Sequence, residues 1–366
     1  MIDKRTATAR LANLRRRLED ADLDGVVIVP GPNMQYFTGV NSLLLERPFM
    51  LLCPVSGAAQ LVAPTLEAGP YRDSPMPLVI HQWTDSEGSP GAISKAVSST
   101  GVRGKWGVEG KVPFLFLHKL MKYASPEFED AEPVLQMLRE TKDEAEVKLL
   151  RRSARILSKS FREFPSLVKE GASELELAKA ATEIIYSNGA SKVDDMLVQS
   201  GWRAANPHSL ASSKKVKRGE SIIFDVGSTS EGYYADMTRT FCVGRSKEVE
   251  DVYQKVLEAE EKGIGAAAQG VEVGEVDEAA RGVLRKAGLG EYFIHRTGHG
   301  LGLEIHEAPY IVEGGKERLE PGMCFTVEPG VYIRGKLGVR MEDNVLIEGK
   351  KGVEITDTPK EFGWWK

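Results

Sequence analysis

An acid placed in the middle of a strand-forming run constrains this chain more than any other feature. Ser221-Ile222-Ile223-Phe224-Asp225-Val226 is rich in β-branched and aromatic residues, yet its interior holds a carboxylate, which strand interiors normally reject. A turn-rich segment, Gly227 to Gly232, is followed by Tyr233-Tyr234-Ala235-Asp236-Met237-Thr238-Arg239-Thr240-Phe241, where Asp236, Thr238 and Thr240 share one face by the two-residue period of a strand. A hairpin centred near Ser230 and Glu231 puts Asp225 directly opposite Asp236. Directly opposed residues have Cβ atoms about 4.5–5.5 Å apart, where like charges repel. Two buried carboxylates at that separation either share a proton or hold cations. The bland alternative is an exposed hairpin with unrelated acids.

Three more segments bear on this choice. Gly298-His299-Gly300-Leu301-Gly302 surrounds a histidine with glycines, which permit close backbone approach and unusual φ/ψ. Phe325-Thr326-Val327-Glu328-Pro329-Gly330 and Gly338-Val339-Arg340-Met341-Glu342-Asp343 each place a glutamate in an apolar, strand-like context. Taken singly, either glutamate can face solvent. Taken together, Asp225, Asp236, Glu328 and Glu342 with His299 form an oxygen-rich donor set with one nitrogen. Their four negative charges balance two divalent cations, which suits a dinuclear centre with metals about 3.5–4 Å apart. Hard carboxylates with one imidazole favour Mn²⁺, with Co²⁺, Zn²⁺ or Fe²⁺ as alternatives.

Composition narrows the class. A length of 366 residues is enough for about two domains at roughly 150 residues each. With 42% hydrophobic and 28% charged residues, the chain reads as soluble and globular. Its 48 basic residues against 53 acidic ones give a net charge of −5, which removes the electrostatic motive for nucleic-acid binding. Small or peptide substrates are favoured instead. Cys53, Cys242 and Cys324 are far apart and lie in apolar stretches, the pattern of buried thiols in a reducing compartment. No apolar run approaches the roughly 18 residues of a membrane span. Asp3, Glu19, Asp20 and Asp22 interrupt the Arg-rich start, unlike a transit peptide. A cytoplasmic protein is expected.

Leu11, Leu14 and Leu18 mark an amphipathic helix from Ala7 to Asp20, and Val26 to Val29 reads as a buried strand ended by Pro30-Gly31-Pro32. Short apolar runs continue to about Val112, which predicts a small α/β domain. A charged stretch from Arg139 to Glu146 opens a long helix, and the domain boundary is placed there, giving domains 1–140 and 141–366. Ser173 and Glu176 form a capping box for a further helix to about Asn188. Beyond Ser200, strand-like runs at Ser221–Val226, Tyr233–Val243, Cys324–Ile333 and Val339–Ile347 interleave with helices near 249–268 and 274–287. The fold class is therefore α+β.

Other motifs carry little. Gly263-Ile264-Gly265-Ala266-Ala267-Ala268 fits a loose dinucleotide pattern but follows a helical segment, not a strand. His295 and His299 are four apart, but the intervening glycine makes a loop the better reading than a metal-chelating helix. There is no G-x-S-x-G elbow and no P-loop.

The set Asp225, Asp236 in Asp-Met-Thr-Arg-Thr, His299 in Gly-His-Gly-Leu-Gly, Glu328 in Val-Glu-Pro-Gly and Glu342 in Val-Arg-Met-Glu-Asp resembles the five-ligand site of the pita-bread metallopeptidases. It is similar in particular to their proline-specific branch, Xaa-Pro dipeptidase (prolidase) and Xaa-Pro aminopeptidase. The resemblance covers essentially the whole chain. It implies a creatinase-like N-terminal domain before a pita-bread catalytic domain, two divalent ions per subunit, and hydrolysis of the bond between an N-terminal residue and proline by a bridging hydroxide. Xaa-Pro dipeptides or short peptides are the implied substrates, and a homodimer is the implied assembly.

The resemblance extends to His208 in Asn-Pro-His and to His306 in Leu-Glu-Ile-His-Glu-Ala-Pro. One or the other would stabilise the tetrahedral oxyanion and both would bind substrate, while Glu328 would shuttle the proton to the proline nitrogen. Arg340, two residues before Glu342, lies on the same strand face by alternation and is expected to orient that ligand. Many prolidases carry arginine four residues after the second histidine to hold the substrate's free carboxylate. Here the position is Tyr310, which predicts that this carboxylate is not required. Where the family often has proline shortly after the first histidine, this chain reads His208-Ser209-Leu210-Ala211. The alternative class is a metal-free relative acting as a binding or chaperone module.

Overall fold

Leu11, Leu14 and Leu18 are buried on one side of the first helix, α1 (Lys4–Asp20), which starts where the Asp3 carboxylate accepts the Thr6 amide at 2.7 Å. The computed structural model describes residues 2–194 and 196–365 and divides into two units, 1–139 and 140–366.

In the first unit, α1 leads to β1 (Gly25–Ile28), α2 (Pro32–Thr38), β2 (Met50–Pro54), β3 (Ala59–Pro64), β4 (Leu78–Trp83), α3 (Pro90–Thr100), β5 (Lys105–Val108), α4 (Phe114–Leu120), β6 (Glu127–Asp130) and α5 (Glu132–Arg139). The six strands form one mixed sheet in the order β4-β3-β2-β1-β5-β6. Strand β1 is buried along its whole length, as its uninterrupted apolar run requires. Gly25 is needed for close approach, since a Cβ there would sit 2.7 Å from the Trp106 ring. Val27, Val29, Leu52, Val62, Ile93 and Trp106 belong to the core between sheet and helices.

The second unit opens with α6 (Glu144–Glu163), capped reciprocally by Asp143 and Glu146, and α7 (Glu174–Ser187), whose capping box is Ser173 with Glu176. Short strands β7 (Lys192–Val193) and β8 (Leu197–Ser200) precede the hairpin β9 (Ser221–Ser230) and β10 (Tyr233–Cys242). Helices α8 (Lys247–Ala266) and α9 (Val273–Lys286) follow, so the Gly263-x-Gly265 pattern lies inside a helix. The remaining strands are β11 (Gly298–Gly300), β12 (Glu307–Ile311), β13 (Cys324–Val327), β14 (Gly330–Ile333), β15 (Leu337–Arg340), β16 (Asp343–Glu348) and β17 (Lys351–Glu354). They build a sheet ordered β12-β11-β13-β16-β17 and a ribbon β14-β15, while β9 pairs with β10, β7 and β8.

The hairpin differs from the expected one in register. Ser230 pairs with Tyr233, so Asp225 stands opposite Thr238 and Asp236 opposite Gly227. The two acids are diagonal neighbours on one face. The turn is tighter than the glycines and serines of residues 227–232 imply, because only Glu231 (φ 56°) and Gly232 (φ 88°) occupy it, both in the left-handed region used by two-residue hairpin turns. Gly227 lies within the strand for a different reason: a Cβ there would meet Ile305 Cδ1 at 2.2 Å.

The two long strand-like runs near the C-terminus are also each broken in two. The chain leaves β13 at Glu328-Pro329 and leaves β15 at Met341-Glu342, so both glutamates sit at strand ends, not in strand interiors. Proline lacks the amide hydrogen a continuing ladder needs. An isolated bridge between Thr238 and Glu342 joins the hairpin to the five-stranded sheet. Behind it, Phe161, Phe164, Phe224 and Phe241 form a continuous aromatic chain with successive ring centroids 4.6, 5.3 and 5.4 Å apart. All three cysteines are buried.

Candidate metal centre

The bridge between hairpin and sheet brings the acids together. Asp225 and Asp236 project from the same face of β9 and β10, while Glu328 and Glu342 enter from the two strand breaks. Asp225, Asp236, His299, Glu328 and Glu342 all line one cavity of about 820 Å³. Ligand atoms of Asp236, His299 and Glu342 lie within 4.8 Å of one another. His299 Nε2 is 3.2 Å from Glu328 Oε1 and 3.9 Å from Asp236 Oδ2.

Each side chain is aimed by a neighbour. His299 Nδ1 lies 3.1 Å from the Gly300 carbonyl; with a hydrogen on Nδ1, Nε2 is the nitrogen turned toward the carboxylates and the one that would bind a cation once deprotonated. The His299 amide donates to Thr326 Oγ1 at 3.1 Å, and that hydroxyl donates to Glu328 Oε1 at 3.2 Å. Asp236 is fixed through its backbone: its amide donates to Asn344 Oδ1 at 3.1 Å and its carbonyl accepts from Asn344 Nδ2 at 2.6 Å. Thr238 Oγ1 donates to Glu342 Oε2 at 2.6 Å. The glycines beside His299 serve close approach and not unusual φ, since a Cβ on Gly298 would lie 1.8 Å from the Thr326 carbonyl oxygen and one on Gly300 would lie 2.1 Å from that of Ala308.

Arg340 does not take the role read from strand alternation. It pairs with the Asp225 carboxylate, and it donates to Tyr332 Oη at 2.7 Å and to Thr238 Oγ1 at 3.3 Å. Thr238 holds Glu342 instead, because the break at Met341-Glu342 interrupts the alternation that would place Arg340 and Glu342 side by side.

Three negative charges remain in this cleft after Arg340 is counted. Burial, reinforced by the charge of Asp225, pushes Asp236 up to about 7. Burial and the charges of Asp236, Glu328 and Asp225 raise Glu342 well above the usual carboxylate range. Glu328 is lowered, because the hydrogen bond and charge of His299 overcome its burial, and His299 is raised in turn by Glu328 and Asp236 despite burial. A set of buried, mutually repelling carboxylates with one imidazole turned toward them is a donor set that hard divalent ions fit.

His208 and His306 also line the cavity, both solvent-accessible at its rim. The His306 ring meets that of His299 edge-on, centroids 4.1 Å apart, and its pKa is lowered to about 4 by desolvation within the cleft and by the charges of His299 and Arg296. It is therefore neutral near pH 7. Tyr310 pairs with His299 across β11 and β12, but its ring does not line the cavity. Arg296 does, with its guanidinium carbon 4.6 Å from the centre of the Tyr310 ring. His295 also lines the cavity, accepting through Nε2 from the Tyr332 hydroxyl at 2.9 Å, with Nδ1 held by the Arg296 carbonyl at 2.7 Å. Sequence spacing gave no sign of that contact, since Tyr332 is 37 residues away.

A five-stranded sheet and a hairpin that converge four carboxylates and an imidazole define a metal-dependent hydrolase. The chain belongs to metallopeptidase family M24, whose model matches residues 148–349, and its first unit matches the creatinase/prolidase N-terminal domain over residues 10–141. It thus pairs a creatinase-like N-terminal domain with a pita-bread catalytic domain. It is 34% identical to the probable dipeptidase PepE of Mycobacterium tuberculosis over 99% of this chain and 97% of that protein. It is 33% identical to the Xaa-Pro dipeptidase of Pyrococcus horikoshii, covering 94% of this chain and 96% of that one. The crystal structure of the Thermococcus sibiricus prolidase superposes with a TM-score of 0.92 at 37% identity, covering 99% of each chain. Among the described residues no helix is long and apolar enough to cross a membrane.

Proposed function

We propose that this metallopeptidase is an Xaa-Pro exopeptidase that hydrolyses the bond between an N-terminal residue and a following proline. The observation that carries the reading is the convergence of Asp225, Asp236, His299, Glu328 and Glu342 in one cavity bordered by His208, His295 and His306. These five residues would hold two divalent cations, since one would leave the cluster negatively charged; oxygen-rich donors favour Mn²⁺. Such ions supply Lewis acidity and a water molecule acidified to near-neutral pKa.

The chain's own residues do the rest. Glu328 is held by Thr326 and His299 with its carboxylate in the cleft, placed to take a proton from the attacking water and return it to the proline nitrogen, which must be protonated to leave. His306, neutral near pH 7 and at the rim, can donate a hydrogen bond to the oxyanion, and His208 flanks the same space. Arg340 and Tyr332 fix Asp225 and His295 as one wall of the cleft. A proline nitrogen carries no hydrogen in the peptide bond, so selection rests on the shape of that wall and not on a donor from the substrate.

Tyr310 stands where many prolidases carry arginine, and the cleavage therefore does not depend on a free C-terminal carboxylate. The test is protein reloaded with Mn²⁺ and offered an Xaa-Pro dipeptide, an Xaa-Pro-Yaa tripeptide and an Xaa-Ala dipeptide. Release of the first residue from both proline peptides, and slow or no cleavage of the alanine peptide, is expected. Absence of cleavage of either proline peptide would overturn the reading.

A further inference from the structure

Adjacent residues on an extended chain point to opposite sides. Glu342 turns its carboxylate into the cavity, and Asp343 turns its own away, into a second buried cluster of three acids: Asp343, Glu260 and Glu354 offer ligand atoms within 4.8 Å of one another. A side chain of the protein fills this second cluster. Lys360 Nζ, contributed by the C-terminal segment, lies 2.6 Å from Glu260, 2.9 Å from Asp343 and 2.9 Å from Glu354.

The two clusters are wired to each other through Arg239, which is fully buried. Its Nη2 donates to both Asp343 oxygens at 2.9 and 2.8 Å. Its Nη1 donates to the backbone carbonyls of Thr238 at 2.9 Å and Glu342 at 2.8 Å. Thr238 and Glu342 are the residues of the isolated bridge, and they share a side-chain hydrogen bond on the cavity side. The backbone from which Glu342 reaches into the cleft is thus clamped from behind by Arg239. Arg239 is clamped by Asp343, and Asp343 by Lys360 and by Thr356 Oγ1 at 2.6 Å.

We infer that Lys360 is a positioning residue for the metal centre. It occupies the second acidic cage as a built-in cation and, through Asp343 and Arg239, fixes the Glu342 backbone in the geometry that binds the ion. The C-terminal segment is seated separately by its aromatic residues: Trp365 Nε1 donates to the Cys242 carbonyl at 3.1 Å, and the Trp364 ring lies 5.7 Å from that of Phe241. Packing of the segment and charge in the cage can therefore be altered independently. The inference rests on the reading of Glu342 as a metal ligand.

Metal-free protein is prepared by chelation, and Mn²⁺ affinity is measured by titration calorimetry beside thermal unfolding of the same metal-free samples. Wild type, Lys360→Met, Lys360→Arg and Trp364→Leu are compared. Lys360→Met should weaken Mn²⁺ binding about tenfold or more, the usual effect of removing a residue that orients a ligand. Lys360→Arg, which keeps the charge, should restore most of it. Trp364→Leu should lower the unfolding temperature and leave the affinity within about twofold. Equal affinities for wild type and Lys360→Met, or equal weakening by Lys360→Met and Trp364→Leu, would overturn the role of Lys360. If Lys360→Met does not fold, Lys360→Gln, which removes the charge but keeps a polar side chain, takes its place: an Mn²⁺ affinity equal to wild type in that variant overturns the inference. A wild-type protein that takes up no Mn²⁺ would instead overturn the metal reading itself.

Discussion

Thr238 Oγ1 donates to Glu342 Oε2 at 2.6 Å while accepting from Arg340 Nε at 3.3 Å. One hydroxyl thereby serves two of the four acids, directly for Glu342 and through Arg340 for Asp225. Thr238 is fully buried and stands across the hairpin from Asp225.

Thr238→Val keeps the β-branched shape and removes that hydroxyl. Burying the Glu342 carboxylate without its donor costs about 1–3 kcal/mol in the metal-free protein. Loss of the orienting bond should also weaken Mn²⁺ binding about tenfold or more. Chelator competition and urea unfolding of the metal-free protein measure the two effects, and an affinity equal to wild type would show that Glu342 does not need the hydroxyl.

Gly298→Ala should be strongly destabilising although the position has an ordinary extended backbone. The new methyl would lie 1.8 Å from the Thr326 carbonyl oxygen, inside the approach of β11 to β13, and the strand carrying His299 must move. A loss of about 2 kcal/mol or more in urea unfolding, with Mn²⁺ binding lost in whatever protein folds, is expected. Gly314→Ala, where nothing lies within 4 Å of the added atom but φ is 72°, is the control for backbone strain alone; it should cost less and spare metal binding.

The contrast between these glycines shows what the chain's sequence discloses and what it hides. An acid at Asp225 in a β-rich run, the glycines around His299 and the capping box at Ser173 are local signals, and each is found in the structure where its physical reason puts it. Register is a different matter. A turn of two residues and one of a neighbouring alignment bury the same faces, so alternation alone does not choose between Asp236 opposite Asp225 and Asp236 opposite Gly227. In the observed register Gly227 packs against Ile305, 78 residues along the chain, a contact that no local pattern contains. Strand breaks at Glu328 and Glu342 were hidden for a similar reason. Apolar residues continue on both sides, and only pairing with separate partners, β13 with β16 and β14 with β15, shows where the ladders part. His295 and Arg239 escape sequence reading because their meaning lies in residues 37 and 104 positions away.

Arg340→Met should be costlier than Tyr332→Phe although the two groups touch. The arginine is buried and paired with Asp225, and removing one member of such a pair leaves an uncompensated charge, a loss of about 3–5 kcal/mol. The tyrosine contributes a neutral hydroxyl between Arg340 and His295, worth about 1 kcal/mol. Urea unfolding of metal-free protein near pH 7 orders the variants. Mn²⁺ should recover part of the Arg340→Met loss, because a bound cation gives Asp225 a new counter-charge. A smaller loss for Arg340→Met than for Tyr332→Phe would contradict the pairing.

Metal removal should make stability fall as pH rises. Asp236 is pushed from an ordinary carboxylate value to about 7 by burial and by Asp225, so its contribution is fully present below the unfolded value near 4 and is lost as pH climbs through 7. His299, raised by Glu328 and Asp236, acts in the same sense above its unfolded value near 6.5, while His306, lowered to about 4 by desolvation, acts in the opposite sense below 6.5 and offsets part of the fall there. Between pH 5.5 and 8 the share of Asp236 is about 2 kcal/mol. Glu109 in the N-terminal domain, buried and also pushed up to about 7, adds a share of the same sign that no metal touches. Asp236→Asn separates the two: in chelated protein it should flatten the pH dependence by the Asp236 share and leave that of Glu109. With Mn²⁺ bound the carboxylates are held ionised, so the stabilisation by metal should grow from pH 5.5 to pH 8. Thermal unfolding with chelator and with Mn²⁺ at both pH values measures all of this, and a chelated protein that becomes more stable as pH rises would refute the charge arrangement described for the cleft.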